Sequence, residues 1–481
     1  MELKRASGVL MHISSLPGGY SIGSLGRAAY RFVDFLSDSG FTYWQTLPIC
    51  MTDECNSPYK SPSSIGVNPW FIDLPTLEEA GLITSEELSD ARERTPYVAE
   101  YKRLSEDRLD LLLKASLRVK NKSKIKKFID SRPELSVSAR YLALSETYNG
   151  APWREWDDER QPDENRLFLW QFIHYEFVRQ WQKLREYANS KGVLLIGDVP
   201  IYTAYESAEV WSSPESFQLD ADMMPREVAG VPPDYFSEDG QLWGNPLYDF
   251  ARMKRDGYAL WHDRMNSVLS FFDGVRIDHF RAIDEYYSIP RDAESAKEGR
   301  WRKGPGRDFI RKIREWAGDK LIIAEDLGDI TDSVRDLLKY SGFPGMRVLQ
   351  FAFLGKDSIH LPHNLENNVF AYTGTHDNNT LLGYIWELDE TARRRLFDYF
   401  GIRHNDWSAA VFDIIKGLFS SSARTVMLPV QDLLGFGSDT RMNTPGSSSG
   451  NWTFRITEDN LSALSENSGK WKYINELYGR I

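Results

Sequence analysis

Short, nearly continuous apolar runs recur along the chain, separated by segments with helical spacing. The runs fall at 8–13, 41–47, 193–196, 272–277, 321–324, 346–353, 369–372 and 425–430. They show little polar–apolar alternation, which is the pattern of strands buried on both faces of a parallel sheet. Between the first two, 27–37 places Phe32, Phe35 and Leu36 on one helical face and stops at Gly40. The segment 167–189 is long and aromatic-rich, and Lys191-Gly192 supplies a stop before the third run. Helical segments at 258–269, 308–316 and 333–339 precede the fourth, fifth and sixth runs. A strand–helix unit repeated in this way predicts an α/β chain folded as a (β/α)8 TIM barrel. A doubly wound open sheet gives the same alternation, so periodicity by itself does not separate the two.

Two connections are too long for a minimal barrel. The stretch 50–190 reads as a mostly helical insertion between the second and third strands, with a charged helical segment at 86–127. The stretch 202–257, dense in Pro, Gly, Asp and Trp, reads as a loop region inserted between the third and fourth strands. Insertions of this kind crown the C-terminal face of a barrel, where binding loops sit. The whole chain, 1–481, then reads as one catalytic barrel. The basic run within 114–127 reads as a solvated helix face. A Ser- and Gly-rich loop at 436–451 follows the last strand.

Composition narrows the partners. Lys plus Arg total 58 against 70 Asp plus Glu, a formal charge of −12, which is the wrong sign for a phosphate polymer and compatible with a neutral substrate. Fifteen Trp within 13% aromatic residues suit either a large core or the stacking of sugar faces. Cys50 and Cys55 make neither a metal quartet nor a disulfide framework. No secretory leader and no run of about 20 apolar residues is apparent, so a cytoplasmic protein without membrane partners is expected.

The acids fall at informative places. Asp278 ends the fourth strand, Glu325 ends the fifth and Asp377 follows the seventh. In a barrel the C-terminal strand ends converge on one mouth, where three carboxylates would raise one another's pKa. Taken singly, each could equally cap a helix or sit in a solvated turn. Arg276 lies two residues before Asp278 and shares its face, where a guanidinium would keep that carboxylate ionised. A pair of carboxyls without a phosphate loop or Ser–His pair suits retaining glycosyl transfer, in which the two groups stand about 5–5.5 Å apart. His376-Asp377 and Asp278-His279 suggest metal ligands only superficially, because adjacent strand residues face opposite ways.

The motifs Gly-Val-Arg-Ile-Asp-His, Ala-Glu-Asp-Leu-Gly and Thr-Gly-Thr-His-Asp-Asn around these acids resemble those of the amylomaltase (disproportionating enzyme) family, relatives of the α-amylases. Further likenesses run along the chain in order. They are the His-Ile-Ser-Ser-Leu-Pro-Gly segment from His12, Ser57-Pro-Tyr59, the segment from Gly197 to Tyr202, Gly-Val-Pro-Pro-Asp-Tyr-Phe from Gly230, and Gly-Gln-Leu-Trp-Gly-Asn-Pro from Gly240. The resemblance implies a 4-α-glucanotransferase acting on α-1,4-glucans without metal or organic cofactor. It implies Asp278 as nucleophile, Glu325 as acid/base and Asp377 as transition-state stabiliser. It further implies substrate contacts from Tyr59, Asp198, Gln241, Trp243, Arg276, His279, His376 and Asn451. Ala282 stands where relatives often have Gly, and Ser447–Ser449 replace a stretch often richer in Pro. An α-amylase-type hydrolase, or a non-catalytic glucan-binding protein on the same barrel, are the competing readings; the second would be expected to lack an acid.

Overall fold

The computed structural model describes residues 3–157, 159–233, 238–353, 355 and 357–481. Its strands in chain order are β1 (Ala6–Leu10), β2 (Tyr43–Gln45), β3 (Leu194–Val199), β4 (Glu227–Val231), β5 (Gln241–Pro246), β6 (Gly274–Ile277), β7 (Glu285–Pro290), β8 (Arg300–Lys303), β9 (Leu321–Ala324), β10 (Gly345–Val348), β11 (Val369–Tyr372) and β12 (Thr425–Pro429). Eight of them pair in the order β10-β11-β12-β1-β2-β3-β6-β9, with every pairing parallel. The two ends of this sheet meet where Ala324 N–H donates to Pro344 O at 2.9 Å. Beside that bond, the Asp326 carboxylate accepts from Met346 N–H at 2.6 Å and from Arg347 Nη1 at 2.8 Å. A side chain thus staples the seam, and the sheet is the predicted (β/α)8 barrel rather than an open one.

All eight predicted runs contain barrel strands, with boundaries shifted by up to several residues; two of the shifts have a visible cause. The first strand starts earlier and ends at Leu10, because Ile13–Ser15 already forms a 3-10 turn closed by Ser15 N–H on His12 O (3.0 Å). The sixth is shorter, since Leu349–Phe351 continues the apolar run as a helical turn. The predicted helices before strands three to six are present as Glu164–Ser190, Ala259–Phe271, Gly306–Ala317 and Asp332–Ser341. The connection from β2 to β3 carries short helices, among them Leu109–Leu117, Lys122–Asp130 and Pro133–Thr147. The connection from β3 to β6 is more ordered than its composition predicts. Its β4 and β5 pair antiparallel and join β7 and β8 in a second sheet of order β5-β4-β7-β8. Trp44, Trp170, Trp181 and Trp261 are fully buried, so much of the aromatic excess builds core. Among the described residues no helix is long and apolar enough to cross a membrane.

Strand parity sorts the barrel interior into layers. Tyr43, Ile196, Ile323, Met346, Phe370 and Met427 form an apolar floor. Two residues further along stand Gln45, Asp198, Glu325 and Tyr372, with Arg276 between Asp198 and Ile323 in register, while Val348 and Pro429 keep the β10 and β12 positions apolar. The inward face is therefore apolar at the bottom and polar at the mouth along β2, β3, β6 and β9. Gly8 belongs to the floor, and a Cβ there would lie 2.6 Å from both Tyr43 Cβ and Tyr43 O and 2.7 Å from Met427 Sδ. A backbone oxygen cannot be moved aside cheaply. Gly8→Ala is therefore expected to destabilise the fold by about 1–3 kcal/mol through overpacking, read as a lower denaturant midpoint with an unchanged slope. An unchanged midpoint would show that the floor relaxes freely around the added methyl.

Candidate active site

The mouth is organised around Arg276, which is only 5% exposed. Its Nε and Nη2 donate to Asp198 Oδ2 (2.9 and 2.7 Å), and Nη2 also donates to Tyr59 Oη (3.0 Å) and Asp278 Oδ1 (2.9 Å). Tyr59 completes the set by donating its hydroxyl to Asp198 Oδ2 at 2.7 Å. A charge buried this deeply needs such pairing, and here one cation is shared by two acids and a phenol. Tyr59 arrives from the β2–β3 connection, where Ser57 Oγ accepts its backbone N–H (3.3 Å) and starts a 3-10 turn with Pro58 in the first position.

Asp278 follows β6 directly, its N–H donating to Val199 O (3.0 Å). Glu325 follows β9 in the same way, through N–H to Ile277 O (3.0 Å). Between them His279 adopts a left-handed backbone conformation, with φ 47°. That conformation aims its N–H at Glu325 Oε2, 2.6 Å away, and Phe280 N–H donates to Glu325 O at 3.0 Å. A non-glycine residue pays strain for this geometry, and strain of this kind gathers at functional sites.

Burial raises both carboxyls above the ordinary range; the charges of Asp198 and Asp377 raise Asp278 further against the pull of Arg276, and the charge of Asp278 raises Glu325 further. They titrate as a coupled pair. Arg276 touches Asp278, whereas the hydrogen bond to Glu325 comes from a neutral backbone N–H. The first negative charge therefore settles on Asp278, and the shared proton stays on Glu325 to well above the usual carboxylate pH. Burial also pushes the imidazoles down, His12 to about 3 and His279 to about 4, and lowers His376 too. Around neutral pH the site's histidines are uncharged.

Asp377 lies in the loop after β11, half in solvent. Its Oδ1 accepts from Asn443 Nδ2 (2.6 Å), and its Oδ2 lies 3.4 Å from His376 Nε2. The His376 ring stacks on Tyr59 at 5.3 Å between centroids with 6° between planes, and Trp452 leans on both rings at 5.6 and 5.8 Å. On the other side, β5 carries Gln241 and Trp243 on one face. Trp243 Nε1 donates to Gln241 Oε1 (3.0 Å), and its ring meets the edge of His279 at 5.0 Å. The structure thus brings Tyr59, Asp198, Arg276 and Asp278 into one network, with Glu325 and His279 beside it. His376 and Asp377 form one rim and Gln241 and Trp243 another. Asn451 stands apart, because its amide is engaged by its own loop: Oδ1 accepts from Thr444 N–H (2.9 Å) and Nδ2 donates to Ser447 O (2.8 Å). Of the motif that starts at Gly230, the last three residues, 234–236, lie outside the described residues. Among the described residues no group of three or more His, Cys, Asp or Glu is arranged to hold a metal ion.

Sequence reasoning missed several supporting residues. Asp432 is buried, with its pKa pushed up to about 6, and accepts from Leu381 N–H (2.7 Å) and Thr373 Oγ1 (2.5 Å), which fixes the loop that carries Asp377. Arg441 and Asn443 hold that loop from the other side. Nothing in their local sequence marks them; only the long-range contact does.

The family model described as Glyco_hydro_77, 4-alpha-glucanotransferase, matches residues 11–461. The chain is 41% identical to the 4-alpha-glucanotransferase of Aquifex aeolicus, over 95% of this chain and 96% of that one. It is 38% identical to the chloroplastic/amyloplastic 4-alpha-glucanotransferase of Solanum tuberosum, over 99% of this chain and 87% of that one. Among solved structures it resembles the amylomaltase from Streptococcus agalactiae in complex with acarbose, with a TM-score of 0.94, 36% identity and coverage of 99% of this chain and 100% of that chain. The amylomaltase from Corynebacterium glutamicum shares the fold, with a TM-score of 0.79, 17% identity and coverage of 99% of this chain and 75% of that one. Since the family match spans every barrel strand after β1 and the relatives align along almost their whole length, the chain belongs to the 4-alpha-glucanotransferase family, Glyco_hydro_77.

Proposed function

We propose that the enzyme transfers α-1,4-glucan segments from a donor glucan to an acceptor glucan or glucose through a covalent glycosyl intermediate on Asp278. The observation that carries this reading is the asymmetry of the two carboxyls: Arg276 Nη2 contacts Asp278 at 2.9 Å, and only a neutral N–H reaches Glu325. Neighbouring acids whose surroundings drive their proton affinities apart are suited to opposite roles. Asp278 offers an ionised oxygen to the anomeric carbon, while Glu325 gives its proton to the departing glycosidic oxygen. The anomeric C–O bond breaks as the ester to Asp278 forms. Glu325, now a carboxylate, then takes a proton from an acceptor hydroxyl, which attacks the anomeric carbon and frees Asp278. Asp377 faces the same sugar and holds its hydroxyls as positive charge develops on the ring.

The acceptor decides between transfer and hydrolysis, since both begin from the same ester. Trp243 and Gln241 form the wall next to His279, where an indole can stack on an acceptor sugar and keep water from the anomeric carbon. Relatives described as 4-alpha-glucanotransferases support a sugar, not water, as the acceptor.

The first test is Asp278→Asn, which should stay folded and lose several orders of magnitude in turnover; near-normal turnover would remove Asp278 from the nucleophile's place. A second concerns pH. Glu325 must be protonated for the first step and its folded pKa is raised, so activity should persist above neutral pH and fall as pH passes the raised value. With Glu325→Gln that alkaline limb should vanish, and a donor with a fluoride leaving group should restore much of the first-step rate. An unchanged alkaline limb in the variant would assign it to another group. In the third, maltotriose should give glucose and longer maltodextrins with a nearly constant number of reducing ends. Trp243→Ala should raise the fraction of events that create a new reducing end. Reducing ends that rise in step with donor consumption by the unmodified enzyme would make it an α-amylase-type hydrolase.

A further inference from the structure

Asp377 is held unlike the other acids of the mouth. Its backbone is set by its own turn: Asp377 N–H donates to Thr375 Oγ1 (3.3 Å), and Asn378 Oδ1 accepts from both Thr375 N–H and Oγ1 (2.9 Å each). Its side chain is 45% exposed and would be free to rotate in solvent. The Asn443 amide removes that freedom by donating to Oδ1 at 2.6 Å.

Asn443 is itself immobilised. Its N–H donates to His376 O (3.0 Å), and its carbonyl accepts from Arg441 Nε (2.8 Å). The Arg441 guanidinium reaches on to the backbone carbonyl of Asp377 (2.5 Å) and not to its carboxylate, and its charge interacts with Glu387 more strongly than with Asp377. Further along, Trp452 N–H donates to Met442 O (2.7 Å), and the Trp452 ring leans on Tyr59 and His376. The segment 441–452 is thus fastened to the Asp377 loop at one end and to the stacked rings at the other.

The contrast with Asp198 is informative. Asp198 Oδ2 takes two hydrogen bonds from Arg276, which cancel its charge. Asp377 takes its short bond from a carboxamide, which fixes the group and cancels nothing. A carboxylate meant to face a sugar ring acquiring positive charge works best when fixed and uncompensated, because preorganised charge stabilises a transition state without reorganising during the reaction. We propose that Asn443 is the positioning residue of Asp377: it sets the carboxylate's orientation through a neutral donor and so preserves its charge for the reacting sugar. This rests on the reading of Asp377 given above.

The test is a double-mutant cycle between Asn443→Ala and Asp377→Asn, read as kcat and KM with α-maltotriosyl fluoride as an activated donor. Asn443→Ala should keep a near-normal melting temperature and lower kcat roughly ten- to a hundredfold, the range of one hydrogen bond to a charged group, with a smaller change in KM. In the Asp377→Asn background the same substitution should change kcat less than about twofold, because its effect passes through the missing carboxylate. Asn443→Asp keeps the shape but places a like charge beside Asp377, and should lower kcat at least as far as Ala does. It carries the test if the Ala variant fails to fold. Equal losses from Asn443→Ala in both backgrounds, or no loss in either, would overturn the inference. Near-normal turnover by Asp377→Asn alone would instead overturn the role of the carboxylate itself, and that result needs no Asn443 variant.

Discussion

A guanidinium sealed inside a barrel has to be surrounded by acids, and the placement of Arg276 dictates the rest of the mouth. Leaving that charge unpaired would cost several kcal/mol, so Asp198, Asp278 and Tyr59 must all be in place before the barrel is comfortable. Two of these partners come from adjoining barrel strands in parallel register, which the fold supplies without special effort. The third comes from the long β2–β3 connection, so the insertion and the barrel are joined at the candidate active site. The apolar floor below makes this necessary, because it leaves the guanidinium nowhere to go except toward the acids.

The aromatic residues divide by the same logic. Indoles far from the mouth pack the barrel against its helices, whereas Trp243 and Trp452 flank the polar network from opposite sides. Each touches a histidine that burial keeps uncharged. The rims therefore present flat, weakly polar surfaces around a strongly charged centre, a combination suited to a ligand with apolar ring faces and many hydroxyls.

The barrel and its acids were legible because both obey local rules. Buried parallel strands write themselves as apolar runs, and a parity of two carries Arg276, Asp278, Asp198 and Glu325 to one face. The resemblance added residues that no local rule marks, such as Gln241 and Trp243. The second sheet was not legible, since β4 pairs on one side with β7, a strand that follows β6, and composition alone made the segment of β4 and β5 look like loop. Asp326, Asp432 and Asn443 were not legible either: each takes its meaning from a backbone or side chain 20 to 66 residues away. Asn451 shows a role that the resemblance does not carry: its amide braces the turn it belongs to.

The seam between β9 and β10 has a consequence for dynamics. Elsewhere around the barrel neighbouring strands are joined by ladders of backbone bonds, but here one backbone bond and the Asp326 carboxylate do the joining. In native-state hydrogen exchange, amides released by small local openings exchange far ahead of those that need global unfolding. The amides of Ala324 and Met346 hold the acceptors that a local opening of this seam would release, and Glu325 sits between Ala324 and the stapling carboxylate. Glu325 is thus mounted at the one join of the cylinder that no backbone ladder closes, so that a parting of the sheet there would reach this carboxyl first.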